Sequence, residues 1–159
     1  MKQIGFEPVF DEKSRVLILG SFPSVKSRQI QFYYGNKQNR FWRLLCGYFR
    51  EDIPETTAGK KAFLSKHNVA LWDIVTACEI KGSSDISIKN AEIADLREVL
   101  RCAKIEKILL NGAAAFRLFV ENYAHLSIDY EKMPSTSSAN PRFDESVWKQ
   151  AFDKIFNIT

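Results

Sequence analysis

The chain is short of the residues that metal and disulfide chemistry require. Its 159 residues include three cysteines (Cys46, Cys78, Cys102) and two histidines (His67, His125). The cysteines stand far apart with no C-x-x-C pair. That spacing argues against a disulfide scaffold, a structural zinc site or a four-cysteine iron–sulfur cluster. Two scattered histidines supply neither a zinc site nor a Ser-His-Asp or Cys-His set, so no metal and no cofactor is expected. No apolar run approaches the roughly 18 residues needed to cross a bilayer, and Met1 to Phe10 has no signal-peptide pattern. The expectation is a cytoplasmic protein with no membrane partner. Repeats, low-complexity tracts and linkers are also missing, which predicts one domain over 1–159. The strand-to-loop turns carry neither G-x-G-x-x-G nor a Walker lysine, so a nucleotide cofactor is not indicated.

A local shortage of acid says more than the overall balance. The net charge is +4, from 23 basic and 19 acidic residues. Between Lys13 and Arg50 there are eight basic residues and no acidic one (Lys13, Arg15, Lys26, Arg28, Lys37, Arg40, Arg43, Arg50). Phe22, Phe32, Tyr33, Tyr34, Phe41, Trp42, Tyr48 and Phe49 are interleaved with them. Such a run can be a plain solvated face. Basic residues among aromatics also supply phosphate contacts and stacking surfaces together, which points to nucleic acid.

With 45% hydrophobic residues the chain can build a packed core. The apolar pattern alternates strands and helices. Strands are predicted at Val16–Leu19, Val69–Trp72, Ile105–Leu110 and Leu126–Tyr130, and helices at Phe41–Phe49, Thr57–Asn68, Asn90–Cys102, Ala113–Tyr123 and Glu145–Phe156. This alternation implies an α/β fold with right-handed crossovers and a mostly parallel sheet covered on both faces. Ligands then bind where loops leave the carboxyl ends of the strands. Those loops begin Gly20-Ser21-Phe22-Pro23-Ser24, Asp73-Ile74-Val75-Thr76, Asn111-Gly112 and Met133-Pro134-Ser135-Thr136-Ser137.

Each candidate has two readings. Gly20 to Ser24 is either an ordinary turn or a turn that offers amide hydrogens to a ligand. Tyr33 and Tyr34 are hard to place in a core and suggest an aromatic platform. Asn39 fits a cap for a helix starting near Arg40, or an amide that orients a water or a substrate carbonyl. Asn111 fits an N-cap or a donor–acceptor pair for the edge of a heterocycle. Met133 to Pro141, flanked by Lys132 and Arg142, is a surface turn or a loop that presses on a phosphodiester backbone. Asp73 alone among carboxylates lies near a strand end, where it reads as a cap or turn residue. A paired-carboxylate hydrolase is therefore disfavoured.

Taken in order, Leu19-Gly20-Ser21-Phe22-Pro23-Ser24, Tyr33-Tyr34, Asn39-Arg40-Phe41-Trp42-Arg43, Leu110-Asn111-Gly112 and Pro134-Ser135-Thr136-Ser137 resemble the uracil-DNA glycosylase superfamily. The resemblance runs from about Val16 to Phe156. It is nearest the hypoxanthine-DNA (deoxyinosine) glycosylase branch, beside the mismatch-specific uracil glycosylases. It implies a three-layer α/β/α sandwich on a four-stranded, mostly parallel sheet. The implied protein is a monomer that flips a deaminated base out of DNA and hydrolyses its N-glycosidic bond. By position, Ser21, Phe22, Pro23 and Ser24 would face the base with Asn111 on its edge, Tyr34 would stack on it, and Asn39 would be the catalytic amide. Arg40, Lys132, Ser135, Thr136, Ser137 and Arg142 would meet the DNA. Two departures bear on substrate preference: Asn36-Lys37 stands where the family commonly has His-Pro, and Ser138 where it has Pro. Met133 is not the histidine of the classical uracil glycosylases.

Unstacking a base costs a few kcal/mol, less for a mispaired one, and a tyrosine stack returns roughly 1–3 kcal/mol. The leaving base would depart as an anion held by fixed amide donors, with no acid required. No lysine is placed for a Schiff base, so strand nicking is not expected. Rival readings are a non-catalytic nucleic-acid-binding domain of the same fold and a metal-dependent small-nucleotide hydrolase.

Overall fold

The computed structural model describes residues 1–156. Val16–Gly20 forms β2, whose residues Val16 to Leu19 are wholly shielded from solvent. A run of consecutive β-branched and aliphatic side chains suits a strand with both faces covered. It is one of the two inner strands of a parallel sheet. Val69–Asp73 (β3) pairs on one side, in the register Val16↔Val69 to Gly20↔Asp73. Lys107–Asn111 (β6) pairs on the other, and Asp129–Met133 (β7) adds to β6 at the edge. The order is β3-β2-β6-β7. Helices flank this sheet in a three-layer α/β/α arrangement, with Thr57–Lys66 (α3) against β3 and Ala113–Tyr123 (α5) against β6 and β7. The remaining long helices are Phe41–Tyr48 (α2) and Glu145–Phe156 (α6). Trp148 of α6 is fully buried, and its indole N–H donates to the Pro134 carbonyl at 2.8 Å. That single bond ties the closing helix to a loop at the sheet's carboxyl edge.

Three sequence expectations are overturned. Asn90–Cys102 is not a helix. Lys89–Ile93 (β5) pairs antiparallel with Val75–Glu79 (β4), which pairs in turn with Lys2–Ile4 (β1), making a second, three-stranded sheet. Only Arg97–Leu100 (α4), a single turn, is helical. The 3.6-residue spacing of Ile93, Leu96 and Leu100 is real, but strand partners from distant sequence outweigh local periodicity. Asn90, at φ +52, takes a left-handed backbone within β5. The acidic and basic residues of this stretch therefore do not lie on one helix.

The fourth strand begins at Asp129, three residues after the predicted start. β7 is an edge strand, and its polar residues are fixed by the ladder: the Lys107 ammonium reaches Glu131 at 2.9 Å and Asp129 at 3.4 Å. Third, Tyr33 is core, 3% exposed, with its hydroxyl donating to the Glu7 carbonyl at 2.8 Å. A further helix, Val25–Ile30 (α1), follows the first loop and was not anticipated.

Among the described residues no helix is long and apolar enough to cross a membrane.

Candidate active site

From β2 the chain moves to β3 on one side and later to β6 on the other. The connections thus diverge at the carboxyl end of β2, the place where α/β sheets open a crevice. Gly20, Asp73 and Asn111 end these three strands, and all three line one cavity of about 180 Å³. Ser21 to Ser24, Tyr34, Asn36 and Asn39, Ser83 and Asp85, and Ser135 to Ser138 complete its wall. The loops that the sequence scatters over more than a hundred positions meet here.

The first loop is pinned by its carbonyls. Gly20 and Ser21 accept from the amides of Ile74 and Val75 at 2.8 and 3.0 Å. Among the described residues the amides of Phe22 and Ser24 donate to no protein group, and both residues line the cavity. Phe22 and Pro23 are buried wall residues. The Ser24 hydroxyl caps α1 by accepting from the Ser27 amide at 3.2 Å, and the Ser21 hydroxyl donates to Asp85 at 2.7 Å. Gly20 is required by close approach. A Cβ there would lie 2.6 Å from an Asp73 carboxylate oxygen and 3.2 Å from the Tyr34 hydroxyl.

Tyr34 sits at φ +54, a left-handed backbone that costs a non-glycine residue roughly 1–2 kcal/mol. Strain of this kind persists where the surroundings impose it. Here it turns the ring into the cavity wall, stacked on Phe41 with centroids 4.0 Å apart. Burial and the neighbouring Asp73 charge push its hydroxyl well above the usual phenol range. Asn39 follows in the same loop. Its side-chain oxygen accepts from the Phe41 amide at 2.9 Å, satisfying one of the free N–H groups at the start of α2. Asn39 thus closes the turn into α2 from the residue before the N-cap, Arg40, and it also lines the cavity.

Asn111 is not an N-cap; Gly112 holds that position, at φ +100. Its amide group is instead spent inside the protein. It donates to the Tyr34 hydroxyl at 3.2 Å and to the Thr136 hydroxyl at 3.0 Å, and it accepts from the Thr136 amide at 3.0 Å. With both N–H donors committed, it has only acceptor capacity left for a ligand.

The last loop is held just as firmly. The Arg40 amide donates to the Thr136 carbonyl, and its guanidinium donates to the carbonyls of Ser137 and Asn140 at 3.0 and 3.2 Å while lying over Phe143. Thr136, 1% exposed, is a brace and has no side-chain surface for DNA. Ser135 and Ser137 line the cavity and also close local turns. Lys132 and Arg142 are exposed on either side.

The basic segment divides. Arg15 pairs with Glu106, donates to the Ile155 carbonyl at 2.5 Å and lies over Phe156. It adjoins Val16, at the amino end of β2, and so lies away from the cavity. Arg28 donates to the carbonyls of Pro23 and Gly82 beside the cavity. Lys26, Lys37 and Arg43 are exposed.

Two carboxylates were underrated by the sequence. Asp73 is 5% exposed, and its Oδ2 has no hydrogen-bond partner among the described residues. Burial, reinforced by the nearby Asp85 charge, lifts its pKa to about 7. The signal for Asp73 was an acid ending a fully apolar strand. Asp85 carried none, because it comes from a loop that reaches the cavity only through the second sheet. Among the described residues no three His, Cys, Asp or Glu side chains gather as a metal site, and no Lys, Arg or His lines the cavity.

An α/β/α sandwich with a polar, nucleobase-sized cavity at its switch point, its loops carrying exposed lysine and arginine, has the architecture of a base-excising enzyme. Residues 7–157 match the Uracil DNA glycosylase superfamily, and the chain belongs to that superfamily. It is a DNA N-glycosylase. Two curated relatives, both described as hypoxanthine DNA glycosylases, span nearly the whole chain. That of Methanosarcina acetivorans is 37% identical over 155 residues, 93% of this chain and 96% of its own. That of Methanosarcina barkeri is 31% identical over 158 residues, covering 97% and 100%. A solution NMR structure of a uracil DNA glycosylase candidate from Methanosarcina acetivorans superposes with a TM-score of 0.84 at 34% identity, covering 98% of this chain and 99% of that one.

Proposed function

We propose that the protein excises hypoxanthine, and uracil less readily, from DNA as a monofunctional glycosylase. The cavity itself carries this reading. It is of a size for one base, it is walled by the Tyr34 ring and by amides and hydroxyls, and it opens where the strand ends converge. Both curated relatives named for hypoxanthine support the choice of base.

A base within duplex DNA is out of reach of this cavity, so it must be flipped, at a cost of a few kcal/mol. Stacking on Tyr34 recovers part of that cost. The free amides of Phe22 and Ser24 meet the base, and Asn39 orients the attacking water. With its carbonyl oxygen already bonded to α2, Asn39 contributes position and not proton abstraction. Exposed Lys26, Lys37, Arg43, Lys132 and Arg142 supply phosphate contacts. The hydroxyls of Ser135, Ser137 and Ser138 meet the DNA backbone beside the flipped nucleotide. The protein acts as a single-domain monomer in the cytoplasm and needs no metal.

The test is incubation with oligonucleotides carrying a single deoxyinosine or deoxyuridine, followed by alkali cleavage of abasic sites. Alkali-labile product from deoxyinosine in excess of that from deoxyuridine is expected. Salt-sensitive binding with no product from either base, in single- or double-stranded form, would mean a binding domain instead.

A further inference from the structure

We infer that Asp73 is the general acid of the reaction, giving its carboxyl proton to the departing base as the glycosidic bond breaks. This assignment rests on the excision reading above. It starts from an accounting problem in the cavity. The leaving base takes the bonding electron pair from C1′, and among the described residues no lysine, arginine or histidine lines the wall to receive that charge. Asn111, the amide nearest the strand ends, has both N–H groups committed to Tyr34 and Thr136. What remains are the free loop amides, hydroxyls and two carboxyl groups.

Those two carboxyls sit in different surroundings. Asp85 belongs to the turn Asp85–Ser87 and also lines the cavity; partial burial raises its carboxyl pKa too, but it accepts from the Ser21 hydroxyl at 2.7 Å, a bond that favours its ionised form. Asp73 lies at the buried end of β3, with one oxygen that no protein group reaches. An ionised carboxylate left buried without a partner is far costlier than the neutral acid. A neutral carboxyl carries one O–H donor, and Asp73 is among the residues that line the cavity of nucleobase size. Gly20 provides the room: any Cβ at that position would collide with the Asp73 carboxylate. The titratable groups that face Asp73 are the Asp85 carboxyl and the phenols of Tyr33 and Tyr34. None of them is a cation that would hold Asp73 ionised. Its midpoint of about 7 then lets it both hold a proton at neutral pH and release it.

The step balances without any further reagent. As the C1′–N9 bond breaks, the electron pair moves onto the purine, and the Asp73 O–H proton transfers to N7, so hypoxanthine leaves neutral. Water adds through oxygen to C1′. Its surplus proton returns to the Asp73 carboxylate, which restores the acid for the next turnover.

The experiment is single-turnover cleavage of a deoxyinosine duplex between pH 5.5 and 9, for the wild type and Asp73→Asn, with binding followed by anisotropy. The wild-type rate should be level below about pH 7 and fall tenfold per unit above it. Asp73→Asn, of nearly the same shape, should be slowed at least about 100-fold, with a flat pH profile and DNA binding within a few-fold of wild type. A variant within about threefold of wild type, or one that keeps the alkaline fall, overturns the assignment. So does a wild-type profile that is flat from pH 6 to 9, a result that stands even if the variant does not fold. A wild type that releases neither hypoxanthine nor uracil refutes the excision reading itself.

Discussion

Replacing Asn111 by alanine should unlatch the last loop from the sheet. In the folded protein the side chain makes three hydrogen bonds, two to Thr136 and one to the Tyr34 hydroxyl. Each contributes about 0.5–1.5 kcal/mol net, and a buried group left without its partner costs about 1–3 kcal/mol. The Thr136 amide would be such a group, since Thr136 is 1% exposed. The hydroxyls of Thr136 and Tyr34 can rotate to other partners, so their share of the loss is the smaller. The expected destabilisation is thus about 2–4 kcal/mol. Urea unfolding at constant m-value measures it. Asn111→Asp separates the latch from the chemistry: its carboxylate still accepts from the Thr136 amide, and both hydroxyls can turn to donate to it. It should recover most of the stability but not the base excision, because it places a carboxylate charge beside the base that gathers electron density as its bond breaks. In a double-mutant cycle with Thr136→Ala, the coupling should exceed about 1 kcal/mol. A loss below about 1 kcal/mol for Asn111→Ala, or additivity within about 0.5 kcal/mol in the cycle, would refute the latch.

Three other outcomes follow from the same geometry. Gly112→Ala should destabilise by more than about 1 kcal/mol, because φ is +100 and the added Cβ would stand 3.2 Å from that of Ser135; thermal unfolding checks it, and an unchanged Tm would be inconsistent with this backbone. Asp73→Asn should stabilise the protein at alkaline pH. The folded-state pKa of Asp73 is raised from 3.8 to about 7, so its contribution is fully favourable below about pH 4 and is lost as pH rises through about 7, a swing on the order of 4 kcal/mol. Urea unfolding at pH 4 and pH 8 should show the variant's advantage only at the higher pH. Arg40→Ala should raise hydrogen exchange across 135–141, since one guanidinium holds two carbonyls of that loop; protection equal to wild type would show that the loop holds itself.

The legible parts of this fold were those written in local sequence. Val16 to Leu19 could only be a doubly covered strand, and the stripes of α5 and α6 matched their helices end to end. The loops at the strand ends were located from the α/β pattern alone, and those loops do surround the cavity. What escaped was written in contacts between distant segments. β1 and β5 acquire their structure only by pairing with β4, which the apolar pattern had absorbed into a loop. Asp85 is brought to the site by that sheet, so the apparent lack of carboxylates was an error of topology and not of composition. Tyr33 and Tyr34 look alike in sequence. Only the left-handed backbone at Tyr34 sends one ring into the core and the other to the cavity wall.

The distribution of charge has a physical logic that the total of +4 conceals. Cations are kept out of the cavity and placed around it. Arg40 and Arg28 spend their donors on loop carbonyls at its mouth, and Arg15 is paired at the opposite end of β2. Only the exposed residues near the loops remain for phosphates. Exposed charge of one sign steers a polyanion from a distance. A cation inside would neutralise Asp73 as an ion pair, holding it ionised and removing its proton from play. The acid-poor stretch from Lys13 to Arg50 and the isolated Asp73 are thus two consequences of one requirement: negative charge must be attracted to the surface, and inside the cavity it must be met by a proton.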